Sequence, residues 1–300
     1  MKDIRTLSLD QLKEYFVSVG EKPFRAKQVY DWLWSKNMHS FDEMSNLSKN
    51  LRDHLSNDFF INPIAVDLMQ KSSDGTIKNG VKLHDGLMVE SVMIPTETRT
   101  TACVSSQVGC SLNCEFCATA KLKRMRNLEV AEVVDEVALI DRQSKLYLDR
   151  PLSNIVFMGM GEPFANPQVF EALHDLTAPE LFGLSQRRIT ISTIGIVPGI
   201  QKLTREYPQV NLAYSLHAPT DRLRETLMPI TKTYPLGQVL DTLDQHIRQT
   251  NRKVFLAYIM LKDVNDSDRH AEQLTKLLFK HKKYLPLYHL DLIPYNQTTV

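Results

Sequence analysis

Apolar residues recur at helical spacing through the first sixty positions and then shift to a two-residue alternation, so the chain reads as two kinds of structure in succession. Leu9, Leu12, Phe16 and Val19 share one helical face, Ser8 with Gln11 forms a capping-box pattern ahead of them, and Gly20 supplies a stop. Pro23 suits the first turn of a second helix running through Val29, Trp32 and Leu33, and Leu47, Leu51 and Leu55 mark a third. Over residues 64–95 short alternating runs are broken by Asp74-Gly75 and Asp85-Gly86, dipeptides that favour tight hairpins, which predicts a small antiparallel unit. Beyond it strand and helix alternate. Strands fit 99–104, 154–159, 188–192, 211–217, 253–261 and 288–293, and helical patterns occupy 130–146, 236–249 and 267–281. Six strands with intervening helices predict an α/β protein with a parallel sheet, either an open doubly wound one or a partial barrel.

Composition narrows the class. With 300 residues, 43% of them hydrophobic and 24% charged, the chain belongs with folded globular proteins, not with disordered, collagenous or coiled-coil ones. No apolar run approaches the roughly 18 residues that span a bilayer, and the opening MKDIRTLSLD lacks the apolar core of a signal peptide, so a cytoplasmic protein with no membrane association is expected. The formal net charge is +1, which means that any attraction to nucleic acid must come from a local basic patch. Lys121, Lys123, Arg124 and Arg126 form one such run, suited to phosphates or equally to solvent. Lys22, Arg25 and Lys27 beside Trp32 and Trp34 form another, although tryptophans at helical spacing more often build a core.

All four cysteines, Cys103, Cys110, Cys114 and Cys117, fall within a fifteen-residue stretch, which indicates metal or redox chemistry because a disulfide framework would spread them out. Cys110, Cys114 and Cys117 have the spacing C-x3-C-x2-C directly after a strand. Three thiolates bind three irons of a cubic [4Fe-4S] cluster and leave the fourth open to another ligand. A zinc knuckle would need a fourth Cys or a well-spaced His, and neither lies close by. Gly159-Met160-Gly161-Glu162-Pro163 falls where the second of the six strands ends, the reactive rim of a parallel barrel. Later strands end in Ile191-Ser192-Thr193, Ser215-Leu216-His217 and Pro294-Tyr295-Asn296, so polar groups gather at one rim, although each could serve as a helix cap or loop residue.

The cysteine loop, with Phe116 before its last cysteine, resembles that of the radical S-adenosylmethionine (SAM) superfamily. Longer stretches carry a closer resemblance: PFRAKQVYDWLW, ESVMIP, CVSSQVGCSLNCEFCATAKLKRMRN, FMGMGEP, SLHAPTDRLRETLMPI and LIPYN, in order from about Phe24 to Asn296. Together they resemble the bacterial adenine-C2 RNA methyltransferases, dual-specificity radical-SAM enzymes acting on 23S rRNA and tRNA. The resemblance implies a partial (β/α)6 radical-SAM barrel over residues 96–300, an N-terminal helical accessory, RNA-binding domain over 1–62 and a β-hairpin extension over 63–95. It implies a [4Fe-4S] cluster on Cys110, Cys114 and Cys117, and S-adenosyl-L-methionine held by Gly161, Glu162, Ser192, Ser215, Leu216, His217 and Asn296.

By the same resemblance Glu90 accepts the proton from adenine C2, and Cys103 resolves a covalent protein–RNA adduct formed through a methyl-cysteine. A monomer served by a reducing electron donor such as flavodoxin is expected. The family's methyl-carrier cysteine lies beyond the LIPYN motif and is missing before Val300, so the expectation is a chain truncated at its C-terminus that cannot complete methyl transfer alone. Three other readings stay open: methylation at adenine C8, a radical-SAM activating enzyme acting on a protein, and an RNA-binding or assembly protein with a structural metal.

Overall fold

A computed structural model describes residues 1–296. The capping box forms: Ser8 Oγ accepts the Gln11 N–H at 3.2 Å, and Gln11 Oε1 accepts the Ser8 N–H at 2.9 Å. It opens α1 (Leu9–Ser18), which is followed by α2 (Phe24–Tyr30), a wider π-helical turn at Asp31–Ser35, and α3 (Lys49–Asp58) capped by Ser48. Leu12, Phe16, Val29, Leu33, Leu51 and Leu55 are buried as their spacing predicts. Trp34 belongs to this core. Trp32 is only half-buried, its Nε1 donating to Asn46 Oδ1 at 2.6 Å with Lys36 over the ring. Two short strands, β1 (Lys2–Asp3) and β2 (Phe59–Phe60), pair in parallel and close the helical unit. Strands of two residues carry no alternation, so periodicity could not reveal them.

Both predicted hairpins form. β3 (Ala65–Lys71), β4 (Ile77–Lys82) and β5 (Met88–Pro95) are antiparallel neighbours, turning at Gly75 and Gly86 with φ of +86° and +83°. β5 then pairs antiparallel with β6 (Thr100–Val104), so the extension continues the main sheet. After β6, β7 (Gln107–Val108) and β8 (Arg126–Asn127) pair across the cysteine loop. The alternation follows: α4 (Val130–Leu148), β9 (Asn154–Phe157), α5 (Gln168–Thr177), β10 (Ile189–Thr193), α6 (Val197–Glu206), β11 (Asn211–Ser215), α7 (Asp221–Leu227), α8 (Leu236–Thr250), β12 (Val254–Met260), α9 (Asp268–Phe279) and β13 (Tyr288–Pro294).

The nine-stranded sheet has the order β13-β12-β11-β10-β9-β6-β5-β4-β3, and its six strands from β6 to β13 are mutually parallel. This is the α/β partial barrel, with its antiparallel extension at one edge. Alternation divides the two faces: Ile155, Ile191, Leu212, Val254 and Leu256 are fully buried, whereas Val156, Thr190, Ser192, Ala213 and Ala257 line an open inner face. β13 forms the far edge and is exposed along most of its length, Leu292 at 60%. Among the described residues no helix is long and apolar enough to cross a membrane.

The helical unit is fastened to the barrel through a buried charge cluster. Arg5 Nη1 donates to both oxygens of Asp135 on α4, at 2.9 and 2.8 Å, and Asn37 Nδ2 and His39 Nε2 lie 3.1 Å from Asp135 Oδ1. Burial opposes the Arg5 charge, but Asp135 and Asp3 outweigh it and hold the guanidinium pKa above its usual value.

Candidate active site at the strand ends

Cross-strand register places the chemistry. Val92 of β5, Cys103 of β6, Val156 of β9 and Thr190 of β10 stand in one row across the sheet. Val156 and Thr190 line the inner cavity, so Cys103 points to that face, and Glu90, two residues from Val92, points there too. The cavity measures about 640 Å³, and Gly161, Glu162, Ser192, Ser215 and His217 contribute to its wall. Of the predicted residues, Leu216 is fully buried, while Asn296 is exposed past the end of β13; neither is among the lining residues.

Glu162 is fixed from three sides. Its Oε1 accepts from Thr193 Oγ1 at 2.7 Å and the Phe164 N–H at 3.2 Å, and its Oε2 accepts the Ile194 N–H at 3.0 Å. Burial pushes its carboxyl up to about 7 against the pull of these hydrogen bonds. Gly161 has φ +93°, and a Cβ there would stand 2.5 Å from Gln107 Cβ; Gln107 in turn accepts the Glu162 N–H on Oε1 at 3.0 Å. His217 also adopts a left-handed backbone, φ +54°, and its Nδ1 accepts the Ile259 N–H at 3.0 Å, which leaves Nε2 as the protonated nitrogen. Burial and Arg224 lower its pKa to about 3, so the imidazole is neutral.

The cysteine loop closes over this rim. Phe116 meets the His217 ring edge-on at 4.9 Å between centroids, and the Glu115 N–H donates to the Leu227 carbonyl at 3.0 Å. Gly109, φ +73°, lies so close to the Lys123 carbonyl that a Cβ would stand 2.4 Å from its oxygen. Burial, then the charges of Cys117 and Cys110, push the Cys114 thiol up to about 12; Cys110 is raised by burial as well, and both feel Glu162. Deeper on the sheet, Cys103 is pushed up to about 11 by burial, with Glu136 and Glu90 adding to the rise. Glu90 itself is half-exposed and pairs with Lys78 Nζ at 2.6 Å.

Comparison with known proteins agrees with this geometry. The sequence model of the ribosomal RNA large subunit methyltransferase N-terminal domain matches residues 2–61, and that of the radical SAM superfamily matches residues 104–274. The "Probable dual-specificity RNA methyltransferase RlmN" of Christiangramia forsetii is 53% identical over 98% of this chain and 83% of its own length. The chain belongs to the radical-SAM RNA methyltransferases of the RlmN/Cfr type. The ribosomal RNA large subunit methyltransferase Cfr of Clostridium botulinum is 44% identical over 99% of this chain and 86% of its own length. A crystal structure of a radical SAM methyltransferase from Sphaerobacter thermophilus superposes with a TM-score of 0.91 at 38% identity, covering 100% of this chain and 87% of that one.

RlmN/Cfr-type enzymes work with a [4Fe-4S] cluster and SAM, and the donor set here fits both. Cys110, Cys114 and Cys117 are free thiols that repel one another as anions, the state that a thiophilic cation relieves. Three such ligands would hold three irons of a cubic cluster and leave the fourth open. The basic run after the loop is partly committed elsewhere: Arg126 donates to Asp85 at 2.6 Å and to Glu132 at 2.7 and 2.8 Å, tying the extension to α4. Gln107 and Arg224 escaped the sequence reading, and Thr193 entered it only as part of a polar strand end, with no role of its own. Thr193 ends a strand as Ser192 nearly does, but nothing local marks Gln107 or Arg224.

Proposed function

We propose that this protein methylates C2 of an adenosine in 23S rRNA and tRNA. The placement of Glu90 and Cys103 on the cavity-facing side of the sheet, beside the cysteine loop, carries the reading. Cys110, Cys114 and Cys117 would hold the cluster, with SAM reaching the Glu162 carboxylate through its amino group and Gly161, Ser192, Ser215, Leu216, His217 and Asn296 completing its site. Bound together and reduced by a donor such as flavodoxin, the pair would supply hydrogen-atom abstraction from a methyl group, giving a carbon radical able to add to an electron-poor carbon such as adenine C2.

The chain's own groups do the rest. Glu162 is already oriented by three donors, so no rearrangement is needed to meet an ammonium. Neutral His217 can donate from Nε2 without adding charge. Glu90, half-exposed beside Lys78, would take the proton leaving C2, and the Cys103 thiolate on the same face would attack the sulfur of the methyl-carrier cysteine, forming a disulfide as the carbon–sulfur bond breaks and its electron pair passes to the released base. The methyl-cysteine route needs a further cysteine, and the four in this sequence are already assigned to the loop and to Cys103. Residues 1–62 form the RNA-gripping domain, 63–95 the extension that presents Glu90, and 96–300 the catalytic barrel, of which 297–300 lie outside the described residues.

The test is nucleoside mass spectrometry of 23S rRNA and tRNA from the source cell with and without the gene. Loss of 2-methyladenosine from both RNAs is expected; loss of 8-methyladenosine instead would overturn the assignment to C2.

A further inference from the structure

We propose that Arg224 is the counter-charge of the cysteine loop, a buried cation whose balancing anion is the iron–sulfur cluster on Cys110, Cys114 and Cys117. The inference rests on the cluster reading above and goes on to assign a residue that tunes the reduction of that cluster.

Arg224, on α7, is 0% exposed. Its Nε donates to the Leu216 carbonyl at 3.0 Å, its Nη1 to Thr231 Oγ1 at 2.8 Å, and its Nη2 to the carbonyls of Ile194 and Ser215 at 2.8 and 2.9 Å. The Tyr214 ring lies 5.1 Å away. Every one of these partners is neutral. Among the described residues Arg224 forms no ion pair with a carboxylate, and Asp221, one turn earlier on α7, spends its Oδ1 on the Leu236 N–H at 2.7 Å. Hydrogen bonds satisfy the guanidinium's donors but leave its charge uncompensated in a low-dielectric interior, where an unpaired charge is strongly disfavoured.

The surroundings identify the anion. Cys114 and Phe116 pack against the same small apolar cluster as Leu227 and Met228, three and four residues after Arg224. The Glu115 N–H donates to the Leu227 carbonyl, which fastens the cysteine loop to the end of α7. Arg224 does not line the cavity, which separates its role from contact with the cosubstrate. A cluster held by three thiolates is net negative and becomes more so when it accepts an electron, so a fixed neighbouring cation favours the reduced state and raises the midpoint potential. Arg224 is therefore a positioning and charge-balancing residue. It also grips the carbonyls that carry Ser215 and Leu216, coupling the loop to the cavity wall.

The experiment uses protein reconstituted anaerobically with iron and sulfide and titrated with dithionite, the reduced cluster being followed by electron paramagnetic resonance. Arg224→Met is expected to move the midpoint to more negative potential, and Arg224→Lys to restore most of that shift. Unfolding temperature should fall more in the cluster-loaded variant than in the stripped one, because only the loaded protein loses a charge partner. An unchanged midpoint with equal falls in both forms would make Arg224 a structural bracket and overturn the inference. Should Arg224→Met fail to fold, Arg224→Gln, which keeps an amide donor and loses the charge, is held to the same two outcomes. Wild-type protein that takes up no iron or sulfide would instead sink the cluster reading beneath it.

Discussion

Arg5 and Arg224 are both buried, yet they are completed in opposite ways. Arg5 meets Asp135 and Asp3, with Asn37 and His39 converging on the same carboxylate, so charge and hydrogen bonds are satisfied together within the chain. Arg224 meets three carbonyls and a hydroxyl, which satisfy its donors and leave its charge standing. The first arrangement is a finished latch between the helical unit and the barrel. The second belongs to a site that becomes electrically complete only with an anion beside it. A buried arginine thus marks architecture where a carboxylate answers it, and a binding function where none does.

Removing the proposed anion altogether gives the largest effect. Replacing Cys114 by Ala should abolish iron and sulfide uptake, measured by colorimetric assay, while the stripped protein unfolds as wild type does to within about 1 kcal/mol. Retained metal would break the contrast at its root. Arg5→Met comes next: with Asp135 left buried, chemical denaturation should show a loss of about 3–5 kcal/mol, identical in loaded and stripped protein. A cluster-dependent loss at Arg5 would erase the distinction between the two arginines.

Glu162 offers a pH test of the same rim. Its carboxyl is raised from 4.5 to about 7 in the folded protein, so it holds a proton more tightly folded than unfolded. Its contribution to stability is full below about 4.5 and is lost as pH rises through about 7. Relative to Glu162→Gln, which cannot titrate, wild-type unfolding temperature should decline across that window; parallel curves would refute the assignment. Binding of SAM to the protein, followed by calorimetry, should strengthen over the same interval as the carboxylate forms. The smallest effect belongs to Lys78, whose pair with Glu90 is half-exposed: Lys78→Ala should cost less than about 1 kcal/mol, diminishing further in salt.

Much of the fold was legible along the chain because its signals are local. Ser8 with Gln11 caps α1, Asp74-Gly75 and Asp85-Gly86 turn the hairpins, and the six parallel strands follow the predicted alternation. β1 and β2 were not legible, because a two-residue strand is defined by its partner alone. Arg126 reads in sequence as part of a basic run suited to phosphate or equally to solvent, but Asp85, forty-one residues away, and Glu132, six residues on, occupy it in the fold. At the site, the three loop cysteines announce themselves by spacing, whereas Glu162 gains its role only from the family resemblance. Gln107 and Thr193, which fix Glu162, look like any polar residues near a strand end.

The sequence by itself determined the elements, the order of the strands' chemistry and the clustering of the thiols, since periodicity, turn dipeptides and cysteine spacing act over a few residues. Only the tertiary structure decided which face of the sheet Glu90 and Cys103 share, which charges are answered, and which are left for a ligand. Those outcomes depend on register and burial among residues as far apart as Arg5 and Asp135, and the strength of a charge depends on what surrounds it.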